Sequence, residues 1–272
     1  MTGLLTNFNF LLAYGEEHSL RNMDSKSRRQ LLEKIVRAGP SERTWRALLE
    51  LLASWPEDEA KEQAYDWLRP QLASWGDKIR NVNSAWTFLY GDDDRLTSIA
   101  KIVRSVTISH REQFGNKELK SIVNTSDIRD ITTLIIQKSD IYIEGARALA
   151  CSPYLTHLTT LALEGVTLSD EKFDILFSAA NLNNLSTLRL KDVGLDTDRV
   201  HRLLRSPLIR SVHHLELPHN NLNDETALLL AASLKLKDLR TLDLRGNSIR
   251  EQTALALMNS PLRSENITII VE

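Results

Sequence analysis

A histidine and two carboxylates stand at intervals that could bring them together: His214, Glu216 and Asp243, with His213 and His219 beside them. Imidazole and carboxylate groups that converge can ligate a metal ion. His214 and Glu216 are two residues apart, which on a strand means one face. Asp243 follows Glu216 by 27 residues, so it joins them only if the chain repeats at that interval. An open sheet face offers no second layer of groups to orient metal ligands. The expectation is therefore an exposed polar ladder without metal or cofactor, whose carboxylates suit a basic segment of a partner.

Other chemistry is harder to find. The sequence holds no phosphate-binding glycine loop, no G-x-G-x-x-G, no H-E-x-x-H and no paired C-x-x-C. The single cysteine, Cys151, falls in Ala-Cys-Ser-Pro with no histidine implied beside it, so a packed thiol is expected rather than a nucleophile. Gly91-Asp92-Asp93-Asp94 lacks the alternating ligands of a calcium loop and reads as a solvated turn. No catalytic residue is assigned, and the chain is expected not to be an enzyme.

The elements that would carry these side chains follow from one interval. Leu134, Leu161, Leu188, Leu215, Leu242 and Ile269 are spaced by 27, and Ile136, Leu163, Leu190, Leu217, Leu244 and Val271 follow two residues later. A further column reads Ile141, Leu168, Leu195, Leu222 and Ile249. The alternation within each pair predicts a short strand with both anchors in the core. Later columns, Ala146, Phe173, Val200, Ala227, Ala254 and Leu149, Leu176, Leu203, Leu230, Leu257, are three apart, which predicts a helix. Ser169-Asp170, Asp196-Thr197 and Asn223-Asp224 supply helix starts, and Ser-Pro at 152, 206 and 260 supplies stops. An irregular earlier unit is visible in Val103, Val106, Ile108 and Phe114.

Strand, turn, helix and return loop in 27 residues resemble the ribonuclease-inhibitor-like class of leucine-rich repeats, and GARALACSPYLTHLTTLALEG (145–165) is similar to repeats of bacterial leucine-rich-repeat proteins. The resemblance implies an α/β fold: a right-handed solenoid with a parallel sheet on its concave face. Asparagine occupies the signature position only at Asn220 and Asn247; Ser139, Val166 and Val193 replace it elsewhere, so the asparagine ladder should break there. On the concave wall, residues between anchors face outward, which places Ala162, Arg189, Glu216 and Asp243 in the open.

Residues 1–100 follow no such register and contain all five tryptophans. Helices are predicted at 25–38, 42–54 and 57–74, giving a helical N-terminal domain that caps the repeats of 101–272. The stretch 52–77, with Tyr65, Trp67 and Leu68, resembles a short companion domain preceding repeats in some of those bacterial proteins. A net charge of −2 gives no bulk drive toward nucleic acid or anionic membrane. The start lacks a basic leader, one cysteine suits a reducing compartment, and no apolar run is long enough to span a bilayer. The expected setting is cytoplasmic.

These readings converge on a protein-interaction module, an adaptor or scaffold, with a protein partner held by Arg189, Lys191, His214, Glu216, His219, Asp243 and Arg245 or by the N-terminal domain. The alternative is a regulator of an enzyme, because the same repeat class includes a GTPase-activating protein and a ribonuclease inhibitor. The chain also ends in a strand, Ile267, Thr268, Ile269, Ile270 and Val271, which continues the core columns. Its outer edge is expected to be unpaired and could pair with a second copy, giving a homodimer, or with an extended peptide added as a strand.

Overall fold

A computed structural model describes residues 20, 22–83, 99–109, 116–179, 181–258 and 267–271. Gly91–Asp94, Trp86, Phe114 and Ser260-Pro261 lie outside them, as do the first residues of the chain and Glu272. The chain divides into two compact units, one of residues 1–82 and 86–104, the other of 83–85 and 105–272.

The described residues of the first unit include three long helices, α1 (Ser25–Arg37), α2 (Glu42–Ser54) and α3 (Glu59–Gln71). Asp24, Ser41 and Asp58 cap them through side-chain oxygens that accept an amide of the first turn. The third starts two residues later than expected because Asp58 serves as its cap, accepting from the Lys61 amide at 2.9 Å. Apolar faces with Leu32, Ile35, Leu48, Leu52 and Leu68 are buried together with Trp45, Trp55 and Trp75. Three cations are buried in this unit, each on carbonyl oxygens. Arg28 donates to Met23 and Ser54, Lys61 to Trp55 and to the Glu57 carboxylate, and Arg80 to Ile102 at 2.9 and 2.6 Å. Burial first, then the charge of Arg104, lowers the Arg80 guanidinium to about 10, so it stays charged at neutral pH. The Tyr65 hydroxyl and Trp55 Nε1 are buried without a hydrogen-bond partner.

In the second unit the 27-residue interval becomes strand register. A first strand, β1 (Asn81–Asn83), falls at the boundary of the two units; within the second unit β2 (Ser105–Ser109), β3 (Thr133–Gln137), β4 (Thr160–Glu164), β5 (Thr187–Lys191), β6 (His214–Glu216), β7 (Thr241–Asp243) and β8 (Thr268–Ile270) run in strict chain order in one sheet. Every pairing from β2 to β8 is parallel, with Leu134, Leu161, Leu188, Leu215, Leu242 and Ile269 directly abreast. The anchors from Leu134 to Leu242 are buried, and so are Leu163 and Leu168. Between the strands lie α4 (Asn116–Val123), α5 (Ile143–Cys151), α6 (Asp170–Phe177), α7 (Thr197–Arg205), α8 (Asp224–Ala232) and α9 (Glu251–Met258). Ala146, Phe173, Val200 and Ala227 are buried from the helical side.

The expected caps form: Ser169, Asp196 and Asn223 accept from Lys172, Arg199 and Thr226 amides. The Ser-Pro serines do more than precede a proline. Ser152 and Ser206 are buried, and their hydroxyls donate to Val123 and Phe177 carbonyls at the end of the previous unit's helix. Each stop is thereby tied to its neighbour.

Asn220 accepts from Val193 and Leu195 amides at 3.1 Å and donates to the Leu190 and Leu217 carbonyls. Asn247 repeats the arrangement one unit later, accepting from Asn220 and Leu222 amides. The ladder therefore has two rungs where the sequence has two asparagines, and Val166 and Val193 are buried at the same position in earlier units.

Candidate functional site

The sheet face turned away from the buried anchors carries the proposed binding residues, and the strand register sets their neighbours. Arg189 stands between Ala162 and Glu216, and Glu216 beside Asp243. The structure brings these charges together as partners of one another. Arg189 lies between Glu164 (Nη1–Oε1 3.5 Å) and Glu216 (Nε–Oε2 3.1 Å); the second is an ion contact without hydrogen-bond alignment. Gln137 donates to the Glu164 carboxylate at 3.2 Å. His214 Nδ1 is 3.0 Å from the Thr241 hydroxyl.

Asp243 corrects the expectation of exposure: it is only 2% exposed. Its carboxylate accepts from the Arg245 amide at 3.1 Å and from the guanidinium at 2.6–3.1 Å. Burial alone would raise this carboxyl, but the Arg245 hydrogen bonds and charge, with Arg189 beyond, bring it below the usual carboxylate range. The same bonds raise the Arg245 guanidinium. Ala162 is buried too, because a methyl group between Ile135 and Arg189 cannot rise above them.

The pairing also changes what this face can recognise. The Glu216 and Asp243 carboxylates are each matched by an arginine, so a basic partner segment finds them already neutralised. Lys191 is half-exposed and His219 exposed, and neither makes an ion pair among the described residues. Among those residues no three His, Cys, Asp or Glu side chains are grouped to hold a metal ion.

His219 belongs to a column that the sequence reading missed. Lys138, Gly165, Asp192, His219 and Gly246 are 27 apart, and all have left-handed backbone, with φ between 47° and 67°. Each amide from Lys138 to His219 donates to a carbonyl of the next unit, at 2.7–3.1 Å, which continues the parallel ladder past the strand end. Two glycines three intervals apart, Gly165 and Gly246, were the legible sign. At Gly246 a side chain would also meet the His219 ring.

Cys151 is exposed rather than packed. Its column mates Ser178, Arg205 and Ala232 are exposed as well, because the position lies on the outer side at the ends of α5 to α8. At the last strand, Thr268 donates to Arg240 and Ile270 accepts from Leu244, so the polar groups of these two residues point into the sheet. The alternation of a parallel ladder turns the Ile269 amide outward instead. Ile267, Ile269, Ile270 and Val271 are half-buried.

No family model matches the chain, and no curated protein matches it. Solved structures do match, among them a Bacteroides fragilis protein from a structural genomics programme, 14% identical over 78% of this chain and 82% of that one, with a TM-score of 0.40. No helix among the described residues is long and apolar enough to cross a membrane.

Proposed function

We propose that this chain is a non-enzymatic interaction module of the leucine-rich-repeat type, an adaptor or scaffold that binds a protein through the outer sheet face, the N-terminal helical unit, or both. The observation that carries this reading is the order of the sheet face. Side chains from consecutive strands stand abreast in fixed register, and Arg189 and Arg245 are ion-paired on this face. Groups held in place before binding lose little freedom on contact, which favours recognition of an extended protein surface. Lys191 supplies the charge left over and His219 an exposed ring beside it, and a carboxylate-bearing segment is the complement they favour.

The test compares the wild-type chain with a Lys191→Glu, His219→Asp double variant, aspartate being tolerant of the left-handed backbone at 219. A protein from cell extract that the wild type retains, and that Lys172→Glu on the helical side also retains, should be lost by the double variant. Equal retention by all three would remove the sheet face from the interface.

A further inference from the structure

The helices turn a second surface outward, and its character changes along the repeats. Four positions per helix form this surface. In α5 they are Glu144, Arg147, Ala148 and Cys151; in α6, Glu171, Asp174, Ile175 and Ser178; in α7, Asp198, His201, Arg202 and Arg205. Charges there pair across helices: Arg199 and Arg202 reach Asp170, and Arg202 also meets Asp174 and Asp198. In α8 the same positions hold Glu225, Leu228, Leu229 and Ala232, and in α9 they open with Gln252, Leu255 and Ala256. Leu228 is 50% exposed, Leu255 52%, and Leu234, in the turn after α8, 81%. Leu228 sits on a helix flanked by α7 and α9, so its exposure is not that of an end repeat. Adjacent exposed leucines of this kind mark a contact surface.

The rims of the patch say what fits it. All these helices run in one sense, because they connect parallel strands. Their starts therefore share one edge and their ends the other. Glu225 and Glu251 stand at the starts, exposed and without an ion pair among the described residues. Lys235, Lys237 and Arg240 follow the end of α8, likewise exposed and without ion pairs, against the lone acid Asp238. An apolar centre between an acidic edge and a basic edge is complementary to itself when turned end for end. A two-fold axis lying across the helices brings this about: α8 packs antiparallel on its own copy, and each basic edge covers an acidic one.

We propose that the helical face of the last two repeats binds a second copy of this chain, Leu228 and Leu255 forming the centre, Leu234 extending it to the basic edge, and Glu225, Glu251, Lys235 and Lys237 the charged rims. The sheet face stays free for another protein, so failure of one proposal leaves the other standing. A membrane surface is the weaker fit, since the patch carries no aromatic anchor and one of its edges is acidic.

Sedimentation velocity of the full chain over a roughly hundred-fold concentration range should show a monomer–dimer equilibrium that weakens with salt. Leu228→Glu with Leu255→Glu should raise the dimer Kd at least about ten-fold while circular dichroism stays unchanged. Lys235→Glu with Lys237→Glu should also weaken it, and adding Glu225→Lys with Glu251→Lys should restore it, because both edges then exchange sign. A wild type that is monomeric throughout overturns the proposal. So does a dimer indifferent to the leucine pair, or one broken only by Ile269→Pro at the last strand. A monomer whose leucines instead hold an acidic amphipathic peptide or anionic vesicles gives the face another occupant, and equally overturns it.

Discussion

The outer sheet face and the helical face of the last two repeats are built on the same 27-residue interval, yet they differ in what their side chains lack. On the sheet, charge meets charge inside the chain: Arg189 between Glu164 and Glu216, Arg245 on Asp243. On α8 and α9, the leucines at the outward positions Leu228 and Leu255 are about half exposed. A polar cluster attracts attention in a sequence because its residue types can do chemistry. The comparison teaches that such a cluster can be spent on holding itself together, while bland residues at an outward position carry the unmet demand.

The largest effect expected tests the sheet's two sides against each other. Leu188 and Arg189 are adjacent in β5, one buried at the anchor column and the other on the outer face. Leu188→Ala should cost about 2–5 kcal/mol, the range for truncating a packed leucine. Arg189→Ala should cost under about 1 kcal/mol, as its two ion pairs are partly solvated. Denaturant unfolding of both variants reads the difference, and equal losses would undo the assignment of faces.

Asp243 and Glu216 separate next. Exposure was expected of both; the structure places Asp243 inside. Asp243→Ala should cost about 1–3 kcal/mol, for loss of charged hydrogen bonds in a buried setting. Glu216→Ala should cost less than about 1 kcal/mol. Because the folded-state pKa of Asp243 is depressed, its contribution is complete above the ordinary carboxylate value of about 4 and disappears as pH falls through the lower folded value. The stability gap between wild type and Asp243→Ala should therefore be constant near neutrality and close in acid. A gap that persists under acid would mean that the carboxylate's charge is not what stabilises this turn.

Smaller effects are expected along the left-handed column. Gly246→Ala should cost about 1–2 kcal/mol for the backbone conformation alone, and part of any further loss should return in His219→Gly, which removes the ring it would meet. Lys138→Gly runs the other way. A lysine held at φ 47° gives up strain when replaced, and a gain of up to about 1 kcal/mol is expected against the added freedom of the unfolded glycine.

Much of this architecture was legible because it repeats. Six anchors at one interval specify register, and Ser169, Asp196 and Asn223 cap helices where capping chemistry said they would. Features that depend on neighbours across units were not legible. Asp243 occupies an outward position like Glu216; only Arg245, two residues away and folded back over it, buries the one and not the other. Ser152 and Ser206 read as residues before a proline, and their bonds to a helix end 29 residues earlier leave no local pattern. The core columns took in Ala227 and Leu230 of α8 and left Leu228 unassigned, since an alanine- and leucine-rich stretch has no polar side to declare which face is outside.

That last ambiguity supplies the smallest expected effect and the sharpest use of the comparison. Leu228 and Leu230 are two residues apart on α8, and their sequence environments are nearly the same, ALLLAA. One is half-exposed and the other buried in the repeat core. Leu230→Ala should cost about 2–5 kcal/mol. Leu228→Glu, a far harsher change in chemistry, should alter stability by no more than about 0.5 kcal/mol, because the carboxylate remains in water and leaves no cavity. The measurement is made at low protein concentration, where a second copy adds nothing by mass action. If Leu228→Glu proved as costly as Leu230→Ala there, Leu228 would be part of the core, and the contrast between a self-paired sheet and an unmet helical face would collapse. If it proved neutral when dilute but costly when concentrated, the leucine would be stabilising an assembly rather than a fold.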